Sequence, residues 1–240
     1  MKVVTWNCNG SLRSKKSAID RIGADILIIQ ECEDPARSTS AYRDWAGTYL
    51  WHGQDKNRGI GVFLRSGETL TPLDWADDGL QLFLPCEINR RFLVLAVWTK
   101  HANSPTFQYI GQLWKYLQLH KSRLASQPFL ICGDLNSNSR WDEWDRWWNH
   151  SDVVREIAEL GGKSLYHEYF DEPHGKESQP TLYHQRHAEK PYHVDYAFAT
   201  NDLFSGGHVE IGKRDEWIEF SDHMPMTFLL NSDSQRTHMP

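Results

Sequence analysis

Short runs of nearly uninterrupted apolar residues recur along this chain, and most of them end on a polar residue able to bind a cation or move a proton. ILII at 26–29, FLVLAV at 92–97 and FLIC at 129–132 contain no charged side chain. A strand with one wet face alternates apolar and polar residues, so runs apolar at every position belong to strands covered on both faces. Strands are expected at residues 2–6, 26–30, 60–64, 80–84, 92–98, 129–132, 194–199 and 227–230. The first and sixth run directly into polar, glycine-containing turns, NGS and GDLNSNS.

Helical periodicity fills the gaps. Residues 105–126 carry Phe107, Ile110, Trp114, Leu117 and Leu124 at three- to four-residue spacing, which predicts a helix with one apolar stripe. Residues 17–22 read as a shorter helix. In WDEWDRWW, Trp141, Trp144 and Trp148 also recur at helical steps, a stripe that fits core packing on a sheet better than a base-stacking platform. Ser151 is the expected cap of a helix over DVVREIAEL, stopped by Gly161 and Gly162. Strands from end to end with helices between them predict one α/β (α+β) domain over residues 1–230. Its architecture is a four-layer α-β-β-α sandwich of two packed mixed sheets flanked by helices. The polar residues 231–240 read as a frayed tail.

Composition closes off several classes. At 240 residues with 40% hydrophobic side chains the chain holds enough apolar surface for a large core, which excludes disorder. No apolar run reaches the roughly 18–20 residues that cross a bilayer, and MKVVTWNCNG lacks a signal-peptide pattern, so a cytoplasmic protein without membrane contact is expected. Cys8, Cys32, Cys86 and Cys132 form no CxxC pair and read as small buried hydrophobes. The balance of 26 basic against 32 acidic residues, net −6, argues against a protein that coats nucleic acid non-specifically. It leaves open a metal-dependent hydrolase, in which a cation supplies the charge that meets phosphate.

The polar residues at the strand ends are the candidate site. Asn7 follows KVVTW, Glu31 follows ILIIQ, and Asp134 and Asn136 follow FLICG. Asp195 opens DYAFA, and Asp222 and His223 precede the last run. Singly, each has an ordinary reading as a turn or a solvated end. Together they form an oxygen-rich set with one imidazole, suited to a hard divalent cation.

In that order the segments WNCNG, IIQE, GDLNS, HVDY and SDHMP resemble those of the endonuclease/exonuclease/phosphatase superfamily, and the likeness extends from residue 3 to 229. The resemblance implies Mg²⁺ (or Mn²⁺) held by Glu31, Asp222 and Asn7. It implies that Asp134 positions or deprotonates the attacking water, Asn136 holds a phosphate oxygen, and His223, supported by Asp195, steadies the developing charge. Asn9 stands where apurinic endonucleases usually have Asp, and Trp98 where they have Tyr. His101 then becomes the expected phosphate contact on that loop. PYHV before Asp195 has neither the arginine of the apurinic branch nor the cysteine-aspartate-arginine signature of inositol phosphatases.

Asn9, Trp98, Arg140, Trp141, Tyr192 and His193 are the expected substrate contacts. Arg13, Lys15, Lys16, Lys100, Tyr183, His184, Arg186, His187 and Lys190 add cations and rings from several loops. A nucleic acid, DNA or RNA, is therefore the expected partner, with no obligate protein partner, and a nuclease is the leading reading. A phosphatase or diesterase for a small phosphorylated metabolite or lipid headgroup is the alternative. An inactive binding module ranks last, because Glu31, Asp134, Asn136, Asp195, Asp222 and His223 are all present.

Overall fold

The apolar runs occupy the interiors of two six-stranded sheets in the computed structural model, which describes residues 1–101, 104 and 106–231. The first strands are β1 (Lys2–Asn7), β2 (Ile26–Cys32), β3 (Thr48–Asp55), β4 (Arg58–Leu64) and β5 (Leu70–Pro72). Then come β6 (Phe83–Ile88), β7 (Phe92–Trp98), β8 (Phe129–Asp134), β9 (Gly162–Ser164) and β10 (Leu182–Tyr183). The last are β11 (Pro191–Tyr192), β12 (Asp195–Thr200), β13 (Val209–Ile211) and β14 (Met226–Leu229). The helices are α1 (Lys16–Asp20), α2 (Ser40–Ala46), α3 (Ile110–Leu124), α4 (His150–Glu159), α5 (Leu165–Phe170) and α6 (Arg214–Trp217).

One sheet runs β13-β14-β1-β2-β4-β3 and the other β5-β6-β7-β8-β12-β9, with β10 and β11 as a separate hairpin. Each six-stranded sheet is mixed: β1 and β2 pair in parallel, as do β7 and β8, and their other neighbours are antiparallel. The side-chain period of two sorts the layers. Leu93, Leu95 and Val97 of β7 pack with Ile110, Leu113 and Leu117 of α3 and with Val153 and Ile157 of α4. Phe92, Val94, Ala96 and Trp98 belong instead to the cluster between the sheets. Likewise Tyr196 and Phe198 of β12 face the helices, and Ala197 and Ala199 face inward. On the first sheet Val3, Thr5 and Asn7 share a face with their register partners Ile26, Ile28 and Gln30. Its opposite face is covered where Trp6 meets Trp217 of α6 at 5.3 Å and Phe63 meets Trp45 of α2 at 5.6 Å. The result is the expected sandwich of two sheets between helices. Each large side chain fully buried in it contributes about 1.5–3 kcal/mol.

Local departures from the predicted elements have identifiable causes. The strand expected at 80–84 begins only at Phe83, because Leu82 takes φ 66°. The helix expected from residue 105 starts at Ile110, after Tyr109 at φ 50°. Its first position, Pro105, and the tail from residue 232 lie outside the described residues. WDEWDRWW is not helical beyond a 3₁₀ turn at Ser139–Trp141. The carboxylate of Asp142 accepts from the His150 and Ser151 N–H groups, and Asn149 Nδ2 donates to the carbonyls of Glu143 and Arg146, so polar side chains capture the backbone there. The tryptophans are consequently not core on a sheet: Trp141 is 42% and Trp144 97% exposed. The cap of α4 is Asn149 rather than Ser151, with Asp152 accepting the Asn149 N–H at 2.8 Å. β3 escapes sequence detection because it is an edge strand with mostly half-exposed residues, and α2 because it is short. All four cysteines are free and buried. Among the described residues, no helix is long and apolar enough to cross a membrane.

Candidate active site

The parallel register of β1 and β2 sets Asn7 beside Gln30, and the next residue, Glu31, leaves the ladder at a bulge with φ 60°. A non-glycine residue there is strained by roughly 1–3 kcal/mol, which the surrounding sheet must hold in place. Glu31 Oε1 accepts from Asn7 Nδ2 at 3.2 Å, and Oε2 meets Arg58 Nη1 at 2.9 Å. Asn9, also at positive φ, donates its N–H to Asn7 Oδ1 at 3.0 Å and its amide to Asp222 Oδ1 at 3.0 Å.

On the facing sheet, the antiparallel register of β8 and β12 places Asp195 directly opposite Asp134. Gly133 makes that strand end possible: it has φ 144°, and a Cβ there would lie 1.9 Å from the Val97 carbonyl oxygen. Asp134 is a buried hub. Its Oδ1 accepts from the Asn136 N–H at 2.8 Å, and its Oδ2 accepts from Asn136 Nδ2 and Asn7 Nδ2, each at 2.9 Å. Asn136 Nδ2 also donates to the Thr99 carbonyl at 2.9 Å, so both its amide protons are engaged. Asp195 is held through its backbone, whose N–H donates to Thr181 Oγ1 at 3.0 Å.

The two sheets meet at His223. Its Nδ1 lies 2.9 Å from Asp195 Oδ2 and its Nε2 4.0 Å from Asp134 Oδ2. Trp6 Nε1 donates to the His223 carbonyl at 2.9 Å, and the His223 N–H donates to Ser221 Oγ at 3.0 Å, which fixes the backbone. Burial opposes charge on His223, but the carboxylates of Asp195 and Asp134 outweigh it and push its pKa up to about 10. Burial pushes Asp134 up to about 7, against the pull of His223 and with the push of Asp195. The imidazolium is thus held by one carboxylate and lies near a second that can accept a proton close to neutrality.

The structure therefore brings Asn7, Glu31, Asp134, Asn136, Asp195, Asp222 and His223 to one end of the seam between the sheets. It does not bring all the other candidates there. Trp98 is 7% exposed within the inter-sheet core, under Lys100 Nζ at 5.4 Å. His193 is 4% exposed, and its Nδ1–H donates to the Gln179 carbonyl at 2.8 Å. His101 is exposed, its ring 6.5 Å from that of Tyr109. Trp141 packs on Tyr192 at 5.4 Å, and Arg140 is exposed. Some of the expected basic rim is spent internally: Arg13 pairs with Glu33 at 3.1 Å, and Lys15 Nζ donates to the carbonyls of Cys8 and Gly10. Sequence reading overlooked Arg58, Thr99, Thr181 and Ser221. No motif marks them, because each acts through long-range contacts. Beside Asn136 and Ser137 opens a cleft of about 660 Å³ walled by Tyr109, Trp141, Trp147 and Trp148.

The donor set fits a hard cation. Glu31, Asp222 and the amide of Asn7 offer oxygen only, and Asp195 Oδ1 is buried without a hydrogen-bond partner. Asp134, Asp195 and His223 themselves lie close enough for their ligand atoms to converge. Their mutual pairing at 2.9 and 4.0 Å suits proton handling, whereas Glu31, bonded to Asn7 and outside that pairing, suits an ion.

Comparisons with known proteins agree on the architecture. A 3′ phosphatase, NExo from Neisseria, bound to a product DNA hairpin, aligns at 18% identity and a TM-score of 0.70, covering 97% of this chain and 100% of that one. An AP endonuclease from Archaeoglobus fulgidus aligns at 19% identity and 0.68, with 97% and 100% covered. Humanized D. rerio TDP2 follows at 14% and 0.62, with 97% and 99% covered. No curated protein matches significantly. The sequence profile described as the Endonuclease/Exonuclease/phosphatase family matches residues 4–223. With that match over most of its length, and with this strand-end constellation, the chain belongs to the Endonuclease/Exonuclease/phosphatase family of phosphoester-hydrolysing enzymes.

Proposed function

We propose that this protein is a Mg²⁺-dependent (or Mn²⁺-dependent) nuclease-type phosphodiesterase, with Glu31, Asp222 and Asn7 holding the ion. The observation that supports it most is the His223 imidazole placed between Asp195 at 2.9 Å and Asp134 at 4.0 Å, on a seam where Asn7 ties Asp134 to Glu31. A divalent ion held by Glu31, Asp222 and Asn7 would supply charge neutralisation on the phosphate and polarise its oxygens. Asp134 orients the attacking water and takes its proton. Asn136, with both amide protons engaged, holds the Asp134 carboxylate in position. His223, kept charged by Asp195, donates a hydrogen bond to the oxygen on which negative charge develops at phosphorus, a contact that stabilises the transition state by about 3–4 kcal/mol.

A nucleic acid is favoured over a small phosphoester because the site opens beside an aromatic-walled cleft of about 660 Å³. Of the structural neighbours, one is a 3′ phosphatase bound to product DNA and another an AP endonuclease. The test is a Mg²⁺ assay on labelled single- and double-stranded DNA and RNA, an abasic duplex, a 3′-phosphorylated end and a small phosphomonoester. Cleavage of an oligonucleotide that EDTA abolishes and Mg²⁺ restores supports the reading. Turnover of the small ester alone transfers the case to a metabolite phosphatase, and no turnover at all to a binding module.

A further inference from the structure

A second cluster of metal-ligating groups lies behind the candidate active site. His167 of α5 and Glu177 of the following loop meet at 3.2 Å between Nε2 and Oε1, and a ligand atom of His174 lies within 4.8 Å of both. Tetrahedral zinc with bonds of about 2.0–2.2 Å separates its ligands by about 3.3 Å, the spacing seen between His167 and Glu177. The outer contacts already orient these groups. Glu177 Oε1 accepts from the Gly175 N–H at 2.9 Å and Oε2 from Asn138 Nδ2 at 3.0 Å. His167 Nδ1 lies 2.6 Å from Ser164 Oγ. If Nδ1–H donates to that hydroxyl, Nε2 turns a lone pair on the Glu177 carboxylate, an arrangement that a cation between them resolves.

Independent observations point to a ligand here. His174 Nδ1, His193 Nε2 and both ring nitrogens of His150 are buried without a hydrogen-bond partner. The rings lie together, His167 on His174 at 3.5 Å, His150 on His174 at 5.7 Å and His193 beside His167 at 6.3 Å. Four imidazoles gathered around one carboxylate leave an unusual excess of unsatisfied nitrogen for a protein interior. The oxygen set of the active site suits a hard ion, whereas two or three imidazoles and one carboxylate suit zinc.

We infer that His167, His174 and Glu177 form a zinc site distinct from the active site, with water completing the tetrahedron and the His174 ring turning off its stack on His167 to reach the ion. Asn138 connects it to the chemistry: its amide nitrogen lies 3.0 Å from Glu177 Oε2, the His193 carbonyl and the Tyr196 hydroxyl, sharing its two protons among them. Residue 138 lies two positions beyond Asn136, and residue 193 two before Asp195, so zinc would brace both segments.

The experiment strips the purified protein with chelator, dialyses it against Zn²⁺ in excess Mg²⁺, and measures bound zinc by mass spectrometry. Stoichiometric zinc is expected in wild type and in Asp134→Asn, and its loss in His174→Gln and Glu177→Gln. Ser164→Ala should weaken zinc binding by about 10–100-fold. Co²⁺ in wild type should give the intense visible absorption of a tetrahedral nitrogen-bearing site, a readout that needs no variant to fold. Wild type without retained zinc or without that absorption overturns the inference. So does zinc that survives His174→Gln and Glu177→Gln but is lost in Asp134→Asn.

Discussion

Asn9 at φ 51°, Glu31 at 60° and Asn136 at 44° are all non-glycine residues in left-handed backbone, and all three border Asp134 or the carboxylates around it. Such residues persist only where neighbours over-determine them, and here the hydrogen bonds to Asn7, Asp134 and Asp222 do so. Glu31 was legible in the sequence because it ends an apolar run, and Asn9 and Asn136 because they lie two residues past such ends in WNCNG and GDLNS. Their strain was not, because it arises from contacts between segments far apart in the chain. At this scale the sharpest test is Asp195→Asn. The amide keeps the shape but removes the charge that holds His223 protonated, so turnover should fall by about 10²–10⁴-fold while the melting temperature changes little. Steady-state kinetics beside a circular-dichroism melt check it, and a variant within twofold of wild type would remove Asp195 from the mechanism. Gly133→Ala should act in the opposite sense, on folding. Its new Cβ meets the Val97 carbonyl at 1.9 Å, at a backbone angle that alanine avoids, so a loss of more than about 3 kcal/mol in denaturant unfolding is expected.

Among the elements, the segment WDEWDRWW departs furthest from its sequence pattern. Helical spacing of tryptophans is necessary for a buried stripe but not sufficient, because Asp142 and Asn149 bind the backbone that a helix would use. The segment becomes instead a wall of the cleft beside Asn136. Trp141→Ala should therefore weaken oligonucleotide binding by about 1–3 kcal/mol and leave stability nearly unchanged, as fluorescence titration and melting would show. Unchanged affinity would assign the ring to packing on Tyr192 alone. On α3, burial holds the His120 imidazole below its ordinary pKa, with Nε2 2.8 Å from the Ala76 carbonyl. A ring that is neutral in the fold and titrates near 6.5 when unfolded favours the fold fully above that pH. Its contribution is lost as pH falls through the lower folded value. The slope of stability against pH in this acid range should be shallower in His120→Gln than in wild type, measured by urea unfolding at a series of pH values.

For the molecule as a whole, the formal charge of −6 opposes a polyanion, and part of the predicted basic rim is tied up in internal pairs. In the proposed nuclease, affinity for nucleic acid would then come from the metal ion, the aromatic cleft and the remaining exposed cations such as Arg140, Arg186 and Lys190. With Asp134→Asn and Ca²⁺ to prevent turnover, oligonucleotide affinity should fall as salt rises, but less steeply than for a protein making 6–10 phosphate contacts, whose affinity drops about 10³–10⁵-fold between 50 and 200 mM. A slope as steep as that would show that the loop cations, rather than the cleft, carry binding.

Periodicity and strand-end chemistry alone determined the sandwich, its central strands and the residues of its candidate site, because burial on both faces demands uninterrupted apolar runs and leaves polar residues only at their ends. The parallel β1–β2 and antiparallel β8–β12 registers decided how those ends face one another, and with them the pairing of His223 with Asp195 and the proximity of Asp134. Register depends on which strands become neighbours, a property of the whole sheet that no local window contains. The same holds for the histidines of the second cluster: His150, His167, His174 and His193 stand apart in sequence with no ligand spacing to mark them. Only the packing of α4, α5 and the start of β12 around Asn138 and Tyr196 gathers them into one place.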